Sequence, residues 1–254
     1  MADQRFVLWD VDGTLIEADA FDVGLERAAL AELFGDFGVD AAVDVGEHHG
    51  RTHDEVALDV AARAGVPRAE ATARLAGYRA ALERVFDARR AEYLASVRVL
   101  PGVRESITGL RRAGHRQTVL TGNTRGCAVR KLAPLGLDTR LDLRYGAFGD
   151  DGPDRDGLGR VVLDRAQAVL GRRPDPALVT VVGDSPRDVA CARANGFVAV
   201  AVATGAYGAE VLAAYGPDVL LHDLRGAEHV LGALPPLPSP PPTPTSLART
   251  GSGR

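Results

Sequence analysis

From Leu100 to Val202 short apolar runs of strand length alternate with segments of helical period, and this alternation restricts the fold more than any other feature of the chain. Gln117 to Leu120, Leu178 to Val182 and Phe197 to Val202 read as buried strands, with another strand near Leu141 to Tyr145. Helices are expected through Ile107 and Leu110, after Thr124 with Val129, Leu132 and Leu135, through Val161 to Leu170, and from Ser185 to Ala194. Short strands separated by helices predict an α/β fold, a Rossmann-like parallel sheet with helices on both faces. Phe6 to Trp9 adds a strand ahead of this region, and it runs directly into Asp10-Val11-Asp12-Gly13-Thr14.

The stretch between that first strand and Leu100 has a different character. Phe21, Leu25, Ala28, Ala29 and Leu33 recur at helical spacing, and Thr52 precedes a run with Val56, Leu58, Val60 and Ala61. Pro67 opens a third helix, predicted to continue to about Ala95 with one apolar stripe from Leu75 to Tyr93. Residues 17–98 therefore read as an α-helical insertion in an α/β core made of 1–16 and 99–233. Seven of the 15 prolines fall between Pro235 and Pro244, so residues 234–254 are expected to form a disordered, proline-rich tail.

Composition narrows the partners. The net charge is -4 and no basic cluster is interleaved with aromatics, which argues against nucleic acid and for a small molecule. The start of the chain carries no basic segment followed by an apolar export segment, and no apolar run reaches membrane-spanning length. Two cysteines, Cys127 and Cys191, lie far apart without metal-ligand spacing, as suits a reducing compartment. The expectation is a cytoplasmic monomer or homodimer with no membrane partner.

In an open parallel sheet, ligands bind beyond the carboxyl ends of the strands. The strand ends here read Asp10-Val11-Asp12, Thr121-Gly122-Asn123-Thr124 and Gly183-Asp184-Ser185-Pro186-Arg187-Asp188. Each has a structural explanation of its own. Asp-Gly is a common turn, Thr124 can cap a helix, and Ser185 with Asp188 makes a capping box with proline in the first turn. Three acids and a hydroxyl on one sheet edge are harder to explain as four separate turns and caps, and Asp184 has no capping duty.

This combination resembles the haloacid dehalogenase superfamily, with Val7 to Leu15 as the first motif, Thr121 after Val119-Leu120 as the second, and Gly183 to Asp188 as the fourth. The helical insertion is similar to the cap of the phosphoglycolate phosphatases and phosphosugar mutases. The resemblance implies a Mg²⁺-dependent phosphatase acting on a small phosphorylated metabolite. Asp10 would attack phosphorus, Asp12 would act as acid and base, and Thr121 with the Gly122 amide would hold the phosphoryl oxygens. A hard cation with carboxylate ligands fits an acidic site facing a phosphate. Asp10, Asp184, Asp188 and Asp12, the last through its backbone carbonyl, would make the Mg²⁺ site.

The third motif departs from the family's lysine. The cation at the expected place, in the loop before a helix, is Arg155, while Lys131, the chain's one lysine against 29 arginines, lies after the second motif. Arg155 is the candidate for steadying the phosphoryl group and the nucleophile, with Lys131 the alternative. In the insertion, Arg51 and Thr52 could meet the substrate, although a simple helix start with Thr52 as its cap explains them equally well. His48, His49 and His53 receive no role. A phosphosugar mutase shares every core motif, and a non-catalytic phosphate-binding module would keep the fold without turnover.

Overall fold

Phe6 and Leu8 leave one face of the first strand, Val7 and Trp9 the other, and all four are buried. A strand buried on both sides requires cover on both sides, and the computed structural model, which describes residues 4–234, supplies it. The strands are β1 (Phe6–Trp9), β2 (Ile16–Glu17), β3 (Arg98–Val99), β4 (Arg116–Val119), β5 (Val179–Gly183), β6 (Val198–Val202) and β7 (Val219–Leu221). The helices are α1 (Asp19–Phe34), α2 (His53–Arg63), α3 (Arg68–Ala88), α4 (Arg90–Ser96), α5 (Val103–Arg112), α6 (Arg125–Leu132), α7 (Arg155–Leu170), α8 (Pro186–Ala194), α9 (Ala209–Ala214) and α10 (Ala227–Ala233).

Five strands form one parallel sheet in the order β4-β1-β5-β6-β7. Phe6 and Leu8 pack with Leu158, Val162 and Val189 of α7 and α8. Val7 and Trp9 pack with Ile107, Leu132 and Leu231 of α5, α6 and α10. The one buried indole keeps its hydrogen bond, Trp9 Nε1 donating to Gln117 Oε1 at 3.1 Å. Strand register sets the geometry of the carboxyl edge, because Trp9 pairs with Val119 on one side and Val182 on the other. Strands β4, β1 and β5 therefore end level, and Asp10, Thr121 and Asp184 emerge on one edge.

Helices α1 to α4 leave and return through the short antiparallel pair β2-β3, where Ile16 faces Val99. They form a helical cap over the carboxyl edge. The predicted single helix from Pro67 to about Ala95 is instead two, broken at Arg89. There the chain turns so that Phe86 and Tyr93 both meet Phe21, with ring centroids 5.2 and 5.1 Å from it and 4.9 Å from each other. The Arg89 guanidinium lies over the same ring, 5.3 Å from its centroid, and holds Glu92 at 2.6 Å.

The predicted strand near Leu141 to Tyr145 does not form. Asp142 and Tyr145 enter turns, Asp142 being tied up with Arg144 in a two-pronged pair, and only Ala147 makes a bridge, to Leu120. Arg155 also differs from its expected place in a loop. Asp154 caps α7 by accepting from the Gly157 amide at 2.9 Å, which puts Arg155 in the first helical position. The proline-rich tail from residue 235 lies outside the described residues. No helix among those described is long and apolar enough to cross a membrane.

Candidate active site

Asp10 leaves the end of β1 with its amide donating to Val182 O at 2.9 Å, which fixes its backbone to the neighbouring strand. Its carboxylate is buried, and Arg155 Nη2 sits 2.9 Å from Oδ1. Asp184 and Asp188 complete a buried trio whose ligand oxygens all lie within 4.8 Å of one another. Burial pushes the Asp10 carboxyl up to about 6; the Arg155 charge opposes this and Asp188 adds to it. Burial and the Asp10 charge hold Asp184 well above its ordinary range.

The backbone around this trio leaves it no alternative place. A Cβ on Gly13, whose φ is +76°, would stand 2.3 Å from Asp184 Oδ2, and one on Gly205 1.8 Å from it. Thr14 Oγ1 donates to Asp184 Oδ1 at 3.0 Å. Asp188 completes the expected α8 capping box, accepting from the Ser185 amide at 3.0 Å, and it also pairs with Arg155, which the sequence reading did not anticipate. Three carboxylates crowded against one guanidinium leave excess negative charge, and an all-oxygen, hard donor set answers to a cation such as Mg²⁺.

Asp12 stands apart from the trio. Its Oδ2 accepts from Lys131 Nζ at 2.7 Å and from Asn123 Nδ2 at 2.6 Å. Burial alone would raise its pKa, but the Lys131 charge and the hydrogen bonds from Asn123 and Lys131 bring it below the usual carboxylate range. The two candidate cations thus divide the acids: Arg155 takes Asp10 and Asp188, and Lys131, itself buried, takes Asp12 and, also at 2.7 Å, Asp22 of the cap helix α1. Both candidates for the third-motif cation therefore line the site, each committed to a different acid of the first motif.

Thr121 and Gly122 line the same cavity of about 60 Å³. Thr121 Oγ1 accepts from the Asn123 amide nitrogen Nδ2 at 2.9 Å. Gly122 has no room for a side chain, since a Cβ would meet Arg51 O at 1.9 Å. The loop of the cap is pressed onto this turn, with the His53 amide donating to Gly122 O at 3.0 Å and Arg155 Nη1 donating to Gly50 O at 3.1 Å. Thr52 caps α2 in a complete capping box with Glu55. Arg51 turns its terminal nitrogens to Glu55 O at 3.0 Å and Asp59 at 3.5 Å, while it still lines the cavity.

Six lining residues carry chemistry that the sequence reading left unassigned: Asp22, Glu26, His48, His49, His53 and Asn123. Burial, with the Asp12 charge, holds the Asp22 carboxyl well above its ordinary range. Burial raises Glu26 to about 7 and lowers His53 to about 3. The neutral His53 accepts from the Thr124 amide at Nδ1, 3.3 Å, which leaves its proton on Nε2, 3.8 Å from Glu26 Oε1. A signal for the two acids was available. On α1 they sit at positions 22 and 26, inside the stripe of Phe21, Leu25 and Ala29 that should have been wholly apolar.

A strand end carrying two acids, an acidic trio and a helical cap inserted directly after the first strand narrow the fold to one class of hydrolase. The profile of the haloacid dehalogenase-like hydrolases matches residues 7–193, and the chain belongs to that family. Over 237 residues it is 34% identical to a phosphoglycolate phosphatase of Rhodospirillum rubrum, covering 90% of this chain and 91% of that one. It is also 34% identical over 139 residues to the plasmid-encoded phosphoglycolate phosphatase of Cupriavidus necator, a match spanning 52% of this chain and about half, 55%, of that relative's length. A solved hydrolase from Pseudomonas syringae shares the fold, with a TM-score of 0.65, 19% identity and coverage of 90% of this chain and 98% of the other.

Proposed function

We propose that the protein is a Mg²⁺-dependent phosphatase that hydrolyses a small phosphorylated metabolite through an aspartyl-phosphate. The observation that carries this reading is the separation of the two carboxylates of the first motif. Asp10 lies among Arg155, Asp184 and Asp188, whereas Asp12 is turned to Lys131 and Asn123. One acid is thereby equipped to attack and the other to move protons.

Asp10 Oδ attacks phosphorus while Arg155 and the Gly122 turn receive the phosphoryl oxygens, so that positioning and charge stabilisation dominate the barrier. Asp12 gives a proton to the departing oxygen in the first half and takes one from the attacking water in the second. Lys131 and Asn123 favour its charged form, the form the second half requires. Mg²⁺ held by Asp10, Asp184, Asp188 and the Asp12 carbonyl would neutralise the phosphate and the acids facing it. The cap, pressed on Gly122 and Arg155, excludes water other than the nucleophile. Similarity to phosphoglycolate phosphatases supports a short phosphomonoester as substrate.

The test is phosphate release from a panel of phosphorylated metabolites with and without Mg²⁺, beside Asp10→Asn. The variant is expected to lose more than about 10³-fold in kcat, some 4 kcal/mol of barrier. Undiminished turnover would remove Asp10 from the mechanism. Isomerised sugar phosphate in place of free phosphate would instead identify a mutase.

A further inference from the structure

The cavity is polarised. Two of its buried nitrogens, Arg51 Nε and Arg155 Nε, donate no hydrogen bond among the described residues. Arg155 Nε belongs to the phosphoryl end, where Arg155 pairs with Asp10, whereas the Arg51 carbonyl meets Gly122 and the Arg51 guanidinium charge bears on Glu26. The unsatisfied acceptors belong to the other end. Glu26 Oε2, Asp12 Oδ1 and Asn123 Oδ1 are buried in the same cavity and accept no hydrogen bond among the described residues. The Asn123 amide cannot turn to relieve this, because Nδ2 is already committed to Asp12 at 2.6 Å and Thr121 at 2.9 Å.

Buried acceptors without donors are costly, and a site built with them favours a ligand that brings the donors. The leaving-group end is acidic as well. Asp12, Asp22 and Glu26 meet there; Lys131 already holds two of them at 2.7 Å each, and the Arg51 charge bears on the third. A substrate carboxylate placed there would face three carboxyl groups, and the terminal nitrogens of Arg51 are turned away to α2.

Resting on the phosphatase reading, we infer that the substrate is a short phosphorylated polyol or amino alcohol: its leaving-group portion carries hydroxyl or ammonium donors and no carboxylate. Glu26, from the cap, is the specificity-determining residue. This departs from what the names of the relatives suggest.

Binding separates this inference from turnover. In the full-length Asp10→Asn protein with Mg²⁺, calorimetric titration with glycerol 3-phosphate, phosphoethanolamine and 2-phosphoglycolate should place one of the first two at least tenfold tighter than the third. Glu26→Leu in the same background should reduce that preference to less than threefold. Glu26→Gln keeps an acceptor but not a charge, so it should retain preference for glycerol 3-phosphate and weaken any for phosphoethanolamine, which also shows that the site is still folded. Phosphoglycolate binding as tightly as the others, no binding of any of the three, or a preference indifferent to Glu26→Leu would overturn the inference. Phosphate release from acetyl phosphate by the wild-type protein reports on the phosphatase reading alone. Its presence alongside preferred phosphoglycolate binding would sink only the substrate class.

Discussion

At the scale of single residues the site is a set of paired charges with one unpaired requirement. Glu26 has a folded-state pKa of about 7 against an ordinary 4.5, so the folded protein holds a proton that the unfolded chain releases between those values. Stability contributed by the neutral form is complete below about pH 4.5 and is lost as pH rises through 7. Glu26→Gln should consequently raise the melting temperature at pH 8, by up to about 3 kcal/mol of stability, and have little effect at pH 4. Thermal unfolding of the two proteins at both pH values checks the sign. At Gly205 the argument is steric. Gly205→Ala would drive a methyl group into Asp184, and Mg²⁺ affinity by calorimetry should fall at least about tenfold. The first-motif acids, Thr121 and Asp184 were legible in position because each lies at the end of an apolar strand or in the turn just after it, and Asp188 because it completes the capping box that opens the next helix. Asp22 and Glu26 gave only a faint signal, two acids within an otherwise apolar helix repeat, and nothing in that repeat tells a site acid from an exposed one.

Among elements, the sheet order and the edge that carries the site rest on strands that end level. The departures from expectation are local contests that a repeat pattern does not record. The long cap helix yields at Arg89 because three aromatic rings can meet only if the chain turns there. The apolar segment at Leu141 to Tyr145 fails to become a strand because Asp142 and Arg144 satisfy each other in a turn. The strand β7 and the helices α9 and α10 went unread, since three residues of strand and two short helices give too few periods to recognise. The aromatic trio also ties the cap to the core: Tyr93 OH donates to Lys131 O at 2.8 Å, so α4 steadies the backbone of the lysine that holds Asp12. Phe86→Ala is expected to cost about 3–5 kcal/mol by chemical denaturation. Because that cavity lies beside α4, the Michaelis constant should rise along with the loss of stability.

For the molecule as a whole, core and cap meet through charge. Asp22 reaches down to Lys131, Arg155 reaches up to Gly50, and Arg187 of α8 approaches Glu55 of α2 at 3.7 Å. If three acids hold Mg²⁺, adding it at 100 times its dissociation constant should stabilise the fold by about 2.7 kcal/mol, a shift absent in Asp184→Asn. Differential scanning calorimetry with and without the ion makes the comparison. Arg155 gives this union its most specific consequence. One flat guanidinium touches Asp10, Asp188 and the Gly50 main-chain carbonyl of the cap at once, which the single ammonium of a lysine would have to do from a point. If Arg155 is the third-motif cation, that side chain also serves as a strut between core and cap. Were the cap to lift, the guanidinium would lose its Gly50 acceptor and that constraint on its rotation. On the proposed mechanism, Asp10 would then be aligned for attack only with the cap closed over it.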